Sequence, residues 1–237
     1  MAVRCAILGM VLITTSTAYA QVEVSTLPGV SYVDLFGYEV DIDGDVALCA
    51  APFDWLPGLI EYAGSVAVFR RTTAGWGLDA ILTASDAAEN DRFGACVAHS
   101  NNRVVVGGAV DQVYSFRFDG VSWSETQILG PIPALSSGGF GRGLDVAGNT
   151  LVIGSMFESD AAFASGAVYF YTSVLGNWVL DQKLSMPSPF GFDFLGRDVA
   201  ISQDGNVVVA GAAPTDEALS SMLPGSAHVY RRVGGVW

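Results

Sequence analysis

FGACVAHSNNRVVVGGA, residues 93–109, contains two short apolar runs joined by the polar pair Asn101-Asn102. The first run alternates apolar and polar residues, and the second, residues 104–106, is continuous and ends in small residues. Short β-branched runs bounded by Gly, Asn or Asp are typical of strands, and a two-residue turn between them indicates an antiparallel hairpin. The stretch therefore predicts two paired strands that follow Phe-Gly and precede Gly-Ala.

This pattern occurs four times. The copies open at Phe36-Gly37, Phe93-Gly94, Phe140-Gly141 and Leu195-Gly196, about every 47 to 57 residues. Each contains a turn (Asp43-Gly44, Asn101-Asn102, Gly148-Asn149 or Asp204-Gly205), an aromatic third run and a run with Trp76, Trp123, Trp178 or Trp237. Four strands per copy at this period are typical of β-propeller blades. The sequence predicts an all-β fold with four blades visible, and places the repeated aromatic residues in the core.

The two ends of the chain bear on whether the blades form a ring. The last copy ends at Trp237 before a fourth strand, while residues 22–27 read as a fourth strand ahead of the first copy. We expect this N-terminal segment to pair with residues 225–230, which would close a small four-bladed ring without a free edge. Two other arrangements stay open: part of a larger ring, or an open array that pairs with another chain.

The first 20 residues have the parts of a secretory signal peptide. Arg4 precedes the apolar stretch 6–13, and Ala18-Tyr19-Ala20 forms a small-residue cleavage site. We therefore expect a single mature domain at 21–237 in a secreted, periplasmic or extracellular location. No run of 18 uninterrupted apolar residues is present elsewhere, so we expect no membrane span.

Composition limits the class of partner. The chain of 237 residues has 24 Asp and Glu against 11 Lys and Arg, a formal charge of −13. Binding to a nucleic-acid backbone requires a basic surface, so we expect no nucleic acid as partner. Because 51% of the residues are hydrophobic and 15% are charged, the sequence is also unlike a disordered acidic tail.

Two cysteines remain after the signal peptide, Cys49 and Cys96. In an oxidising compartment they could form a disulfide, and the alternative is that both are small buried apolar residues. The spacing does not decide between the two, since a disulfide depends on the distance between the Cα atoms. A structural zinc site has no support, because no closely spaced Cys and His set occurs.

The motifs resemble those of a known family. Phe36-Gly37 with Ala50-Ala51-Pro52, and Phe93-Gly94 with Gly108-Ala109, resemble the FG-GAP repeat of the integrin α N-terminal propeller. Residues 82–94, LTASDAAENDRFG, are especially similar to the form found in bacterial secreted proteins. The resemblance covers residues 21–237 and implies a propeller, although the family usually has seven blades.

Calcium is the cofactor that the resemblance brings into question. Some FG-GAP proteins bind it in an acidic loop between the first and second strands, and Asp41, Asp43 and Asp45 match that position. Calcium needs six to eight oxygen ligands, and tight hairpin turns explain these acids better. We therefore expect no cofactor and keep the three residues as a weak calcium candidate.

The variable loops are expected on one face of the propeller, where binding sites are usually found. They carry half of the acids, with Arg92 as the basic residue among them, and in integrins this is the ligand face. The candidates for ligand contact are Asp54, Trp55, Glu61, Asp86, Glu89, Asp91, Glu158, Asp160, Asp216 and Glu217. The loop 52–62 adds Phe53, Trp55 and Tyr62, which either anchor a partner or fold over the blade.

Catalysis has little support in the sequence. The two histidines, His99 and His228, fall at repeat positions, and no nucleophile motif is present. We therefore expect no enzyme and no catalytic residue, but a secreted binding or adhesion module with an extracellular protein or glycan as partner. The alternatives are a glycan-active hydrolase or lyase with paired carboxylates on the same face, or a structural segment of a larger secreted protein.

Overall fold

A computed structural model of the chain describes residues 35–56, 60–132, 138–214 and 225–237. These residues form fifteen strands in four antiparallel sheets and contain no helix. Each sheet corresponds to one copy of the repeat, and we number them blades 1 to 4. The expected all-β class with propeller-type blades is confirmed, and within the described residues the ring of blades is not closed.

Blades 1 to 3 have four strands each and blade 4 has three. Blade 1 contains β1 (Val40–Asp43), β2 (Val46–Ala51), β3 (Ser65–Thr72) and β4 (Gly75–Leu82). Blade 2 contains β5 (Cys96–Ser100), β6 (Arg103–Gly107), β7 (Val113–Phe118) and β8 (Trp123–Leu129). Blade 3 contains β9 (Phe140–Ala147), β10 (Thr150–Ser155), β11 (Ala167–Val174) and β12 (Asn177–Leu184), and blade 4 contains β13 (Leu195–Ile201), β14 (Val207–Ala212) and β15 (Ser226–Arg231).

The first hairpin of each blade follows the expected turn chemistry, with two differences. Blades 2 and 3 have the predicted two-residue turns, Asn101-Asn102 and Gly148-Asn149. In blade 1 the turn is shifted by one residue, because Asp43 pairs with Val46. In blade 4 the expected Asp204-Gly205 turn is a five-residue loop, residues 202–206. Asp204 stabilises that loop by accepting hydrogen bonds from the Ser202 hydroxyl and the Asn206 backbone N–H.

Adjacent blades meet at the repeated glycines. A Cβ atom on Gly107 would lie 2.0 Å from the Gly141 carbonyl oxygen, and one on Gly154 would lie 1.9 Å from that of Gly196. Between blades 2 and 3 and between blades 3 and 4, the glycine of the opening pair therefore packs on a glycine near the end of the second strand of the preceding blade, whereas Gly94 of blade 2 packs on Ala50. Such an approach of two backbones leaves no room for a side chain, which explains the residue types in the motif.

Apolar side chains fill the three spaces between blades. The cluster between blades 1 and 2 contains Leu48, Val68 and Phe93, and the cluster between blades 2 and 3 contains Phe140 and Tyr169. A third cluster joins blades 3 and 4. The expected core role is confirmed for the aromatic residues of the Phe-Gly pairs in blades 2 and 3, which are at most 1% exposed. The tryptophan positions differ, since Trp178 is 3% exposed whereas Trp76, Trp123 and Trp237 are half-buried.

The expected N-terminal strand, residues 22–27, lies outside the described residues, as does the signal peptide. Blade 1 and blade 4 are not packed together in the part of the chain that is described, where the inner strand β1 contacts β5 of blade 2. The described residues include no helix long and apolar enough to cross a membrane.

Cys49 and Cys96 are both free thiols, so the disulfide is not formed. Cys49 packs with Phe69 on the side of blade 1 that faces away from blade 2. Cys96 packs at the edge of the cluster between blades 2 and 3. Cys49 is buried, as the alternative of two small buried residues expects, whereas Cys96 is half-buried.

Candidate functional site

The loops that join second to third strands, and each blade to the next, leave the sheets on one side, which we call the loop face. On this face, loops of neighbouring blades are tied together by their backbones. The N–H groups of Asn90 and Arg92 donate to the carbonyl oxygens of Glu61 and Tyr62, both at 2.9 Å. Between blades 3 and 4 the same ties run from Phe192 to Phe163 (2.9 Å), from Phe194 to Ala164 (3.1 Å) and from Leu195 to Ser165 (3.0 Å).

These tied loops hold several residues in the left-handed backbone region. Asn90 and Arg92 have φ angles of 67° and 51°, and Phe192 and Phe194, at the corresponding positions before blade 4, have 68° and 56°. Asparagine tolerates this conformation, but a bulky aromatic residue rarely adopts it. The cost is of order 1–3 kcal/mol for each such residue, so the surrounding ties are needed to maintain it.

An aromatic chain covers the loop face at blade 1. Phe53 packs edge-on between Tyr38 (6.3 Å) and Tyr62 (5.7 Å), and Tyr62 in turn contacts Trp55 (6.0 Å). Arg92 stacks over the Phe53 ring at 5.1 Å. Trp55 remains 46% exposed. Phe53 and Tyr62 are half-buried on the blade, as expected for a loop that folds over it, while Trp55 faces solvent.

A second aromatic group lies on the loop face between blades 3 and 4, and the sequence analysis did not identify it. Phe163 and Phe192 meet edge-on at 5.1 Å, and Phe194 continues the contact inward, where it is 3% exposed. Phe163 is 67% exposed, Phe190 69% and Phe192 39%. We call Phe163, Phe190 and Phe192 the phenylalanine patch. The other copies have no phenylalanine at the corresponding positions, so no periodic signal predicts this exposure.

Three of the candidate carboxylates, and two further acids of the same loops, Asp111 and Asp193, accept hydrogen bonds from their own surroundings. The pairs are Asp54 with the Ser65 hydroxyl (2.7 Å), Asp86 with the Tyr114 hydroxyl (2.9 Å), Asp91 with the Ala88 N–H (2.6 Å), Asp111 with the Gly138 N–H (2.7 Å) and Asp193 with the Phe190 N–H (2.5 Å). These acids hold the loops in shape. Glu89 is exposed and bonded to its neighbour Asn90, Glu61 is half-buried, and Asp216 and Glu217 lie outside the described residues.

Glu158 and Asp160 lie in a cavity of about 280 Å³ and share one basic partner. Lys183 forms ion pairs with both carboxylates, and the Tyr169 hydroxyl donates to Glu158 at 2.7 Å. Glu158 is 1% exposed, so its charge is compensated inside the fold. Arg92 is therefore not alone in opposing the loop-face acids. Lys183 reaches them from β12, and Arg142 joins Arg92 around a small cavity of about 60 Å³.

Four further carboxylates lie along the inner strands: Glu39, Asp41, Asp145 and Asp198. Burial raises the pKa of the Glu39 carboxyl, and the charges of Asp198 and Asp41 raise it further. Burial also raises the pKa of Asp145, although two backbone N–H groups act against the shift. Within the described residues none of the four forms a salt bridge. The sequence contains a signal for two of these carboxylates, because Asp41 and Asp145 both stand five residues after the Phe of a Phe-Gly pair.

The opposite end of the inner strands opens on a polar cavity of about 440 Å³, lined by hairpin residues of all four blades. His99 lies at its wall, is 6% exposed and stacks edge-on with Trp123. Its Nε2 is 2.7 Å from the Asn101 carbonyl oxygen, so Nε2 carries the proton and donates. Burial lowers the pKa of His99, which keeps the ring neutral near pH 7.

Two of the three calcium candidates, Asp41 and Asp43, link blade 1 to blade 2, and Asp45 forms an ion pair within blade 1. The Asp41 carboxylate accepts from the His99 N–H at 2.6 Å, and Asp43 accepts from the Asn101 N–H at 3.0 Å. Asp45 forms an ion pair with Arg71 at 2.5 Å. Among the described side chains, no group of three or more acids, histidines or cysteines is placed to hold a metal ion.

Comparison with known proteins identifies the repeat. Residues 76–113 and 123–171 match the FG-GAP repeat family. The two matched segments begin at Trp76 and Trp123 and each ends in the third strand of the next blade, so they span two of the three blade interfaces. No curated protein matches the chain in sequence.

Two solved structures share the architecture. The computationally designed Ika4 protein is 13% identical with a TM-score of 0.51, over 90% of this chain and 99% of that one. A protein from Bacteroides uniformis described as a putative 6-phosphogluconolactonase is 14% identical with a TM-score of 0.51, over 82% of this chain and 52% of the other. At these identities the similarity concerns the fold.

Proposed function

We propose that this chain, which matches the FG-GAP repeat at residues 76–113 and 123–171, is a secreted, non-catalytic binding or adhesion module that uses its loop face. FG-GAP repeats are typical of extracellular proteins and of interaction modules without catalytic activity. The signal-peptide pattern of residues 1–20 supports secretion. The partner that fits this setting is an extracellular protein or glycan.

The observation that carries the proposal is the phenylalanine patch on tied loops. Phe163 and Phe190 are about two-thirds exposed, although Phe192 and Phe194 next to them require a strained backbone. Large aromatic side chains that are held rigid contribute much of the energy of protein interfaces, because little conformational entropy is lost on binding. Trp55 offers a second anchor at blade 1.

Exposed acids on the same face support a negative charge for the proposed binding surface. Asp160 has a side chain 48% exposed, and Glu89 is also exposed. Since several of the other acids are occupied within their loops, we assign them the positioning of the loops and not direct contact. Surface charge of one sign steers a partner of opposite charge and affects the association rate more than the affinity. The proposed face is therefore aromatic at its contacts and acidic around them.

The enzyme alternative finds no free pair of carboxylates in the loop-face cavity. Glu158 and Asp160 are the pair found there, and both form ion pairs with Lys183, so neither carboxylate is free of a basic partner. On β15 the Ser226 hydroxyl lies 2.9 Å from His228 Nε2. Within the described residues no carboxylate is bonded to the other ring nitrogen, so the third group of a hydrolase triad is not seen.

The test is binding of the mature chain to an array of extracellular proteins and polysaccharides, with turnover measured in parallel. For a ligand found in this way, Phe163→Ala and Phe190→Ala should each weaken binding about tenfold or more, as for interface anchors. Leu175→Ala is the matched control, since Leu175 is fully exposed on a β11–β12 turn at the opposite face.

Two outcomes would refute the proposal. One is turnover of a glycan that Glu158→Gln or Asp160→Asn abolishes, which would establish the hydrolase or lyase. The other is a ligand whose affinity is unchanged by both phenylalanine variants, which would place binding elsewhere. A chain that binds nothing on the array would favour the structural segment of a larger protein.

A further inference from the structure

Each blade contacts its neighbours through two different faces. We call the face toward the preceding blade the incoming face and the face toward the following blade the outgoing face. The incoming face carries the apolar residue four positions after the first residue of the Phe-Gly pair: Val97, Leu144 and Val199 in blades 2 to 4. These side chains are 5%, 5% and 6% exposed, because each packs on the preceding blade. The outgoing face carries the middle residue of the second strand, which is Leu48, Val105 or Val152 in blades 1 to 3. All three are 0% exposed.

The incoming face of blade 1 has the same residue types, but none of the described residues forms a blade against it. Val40 occupies the position of Val97 and is 61% exposed, and Ile42 is 63% exposed. Gly37 corresponds to Gly94, Gly141 and Gly196 and has the same left-handed φ, of 85°. A Cβ atom at Gly37 would meet nothing within 4 Å, whereas at Gly141 it would lie 2.5 Å from a Val113 methyl.

The outgoing face of blade 4 is open in the same way. Val209 occupies the position of Leu48, Val105 and Val152 but is 41% exposed. Val229, which pairs with Val209 across β14 and β15, is 67% exposed, while its counterpart Phe170 in blade 3 is 0% exposed. The two open faces of the described chain are thus the two halves of the interface that the chain builds three times internally.

We propose that a second copy of this chain fills these faces. The outgoing face of blade 4 in one chain packs on the incoming face of blade 1 in the other, and the reverse contact completes a two-chain ring. A symmetric dimer requires a surface that is complementary to itself, and a chain that carries both halves of one interface satisfies this requirement. The contact continues the interface already formed between blades 1 and 2, 2 and 3, and 3 and 4.

The interface between blades 2 and 3 shows what the contact between chains contains. There Ala98 and Ser100 of the inner strand face blade 3, and the Ser100 hydroxyl accepts from the Gly148 N–H at 3.0 Å. Blade 4 has Ala200 and Ser202 at the same two positions. An unrelated partner would have to reproduce both the apolar positions and the close glycine contact, whereas a second copy supplies them.

The experiment measures the mass of the mature, full-length chain by sedimentation over a wide range of concentration. We expect a dimer in equilibrium with monomer. Val209→Asp should abolish the dimer through the outgoing face, and Val40→Lys should abolish it through the incoming face. Val121→Asp is the matched control, because Val121 is 89% exposed on a turn of blade 2 and should leave the dimer intact.

Mixing the two variants gives the decisive result. In a mixed dimer one contact is wild type on both sides, and the other places the introduced acid and the introduced base in the same interface. We expect Val209→Asp and Val40→Lys to be monomeric alone and dimeric together, which also shows that both variants fold. A wild-type chain that stays monomeric, a dimer that Val209→Asp leaves unchanged, or open chains of many copies would each overturn the proposal.

Discussion

Gly154→Ala tests the close contact between blades on which the fold depends. Gly154 is the next-to-last residue of β10 in blade 3, and a Cβ atom there would lie 1.9 Å from the carbonyl oxygen of Gly196 and 2.8 Å from its Cα. Both atoms belong to the backbone of blade 4, so no side chain can turn aside to make room. Gly211 is the equivalent position in blade 4, and its nearest atom, the Asp198 carbonyl oxygen, is 3.7 Å away.

The expected magnitudes follow from this difference. Overpacking of a buried site typically costs about 1–3 kcal/mol, and a backbone contact this short belongs at the upper end. The reduced freedom of the unfolded chain returns about 0.4–1 kcal/mol when glycine becomes alanine. We therefore expect Gly154→Ala to lower the free energy of unfolding by roughly 2 kcal/mol, or about 4–8 °C in Tm for a chain of this size. Gly211→Ala should raise the stability of the monomer by up to about 1 kcal/mol.

Urea unfolding followed by tryptophan fluorescence measures both variants, because Trp178 and Trp237 pack on either side of blade 3. Unchanged slopes of the transition would show that the difference lies in stability and not in the extent of unfolding. Equal effects of Gly154→Ala and Gly211→Ala would refute the assignment of the two positions to a packed and an open interface. In the dimer, Gly211→Ala should additionally weaken association.

Three further results are expected. The pKa of Glu39 is raised in the folded state, so the folded chain keeps this proton to higher pH than the unfolded chain. The free energy of unfolding therefore falls as pH rises above about 4.5. Glu39→Gln should reduce this fall and raise Tm at pH 7, and a lower Tm of the variant would contradict the reasoning. Lys183→Met leaves the buried Glu158 carboxylate uncompensated and should cost about 3–5 kcal/mol in urea unfolding; the double variant with Glu158→Gln should recover most of this, and no recovery would place the role of Lys183 elsewhere. Burial raises the pKa of the Cys96 thiol to about 12, so iodoacetamide at pH 8 should leave Cys96 unmodified in the native chain. After unfolding, mass spectrometry should find two adducts, one on Cys96 and one on Cys49. Rapid alkylation of Cys96 in the native chain would show that the thiol is accessible.

The repeat made the strands predictable, since each run of apolar residues is bounded by the same turn and glycine signals in every copy. The errors occur where a local bond depends on one copy alone. Asp204 organises a five-residue loop in blade 4, in place of the two-residue turn that its Asp-Gly pair favours. A pattern shared by four copies cannot indicate such a difference, because hydrogen bonds of single side chains decide it.

The loop face shows the same limit for the candidate site. The acids there were predicted as ligand contacts from their number, yet Asp54 and Asp91 accept bonds from Ser65 and Ala88, which fix the loops. Whether a carboxylate in a loop is free depends on where the loop backbone places its donors, and no residue pattern specifies that. The exposure of Phe163 likewise follows from the ties between two loops that are distant in sequence.

The open faces and the inner carboxylates act in opposite directions on assembly. Complete burial of a valine or isoleucine contributes about 1.5–3 kcal/mol, so covering Val40, Ile42, Val209 and Val229 favours the two-chain ring. Closing that ring also brings the inner carboxylates of both chains around one axis, where the charge of Asp198 already raises the pKa of Glu39 within a single chain. Association therefore depends on two opposing effects: apolar contact between the open faces of the two chains, and repulsion between the inner carboxylates. Salt screens the inner carboxylates, so added salt should favour the two-chain ring while leaving the apolar contact unaffected.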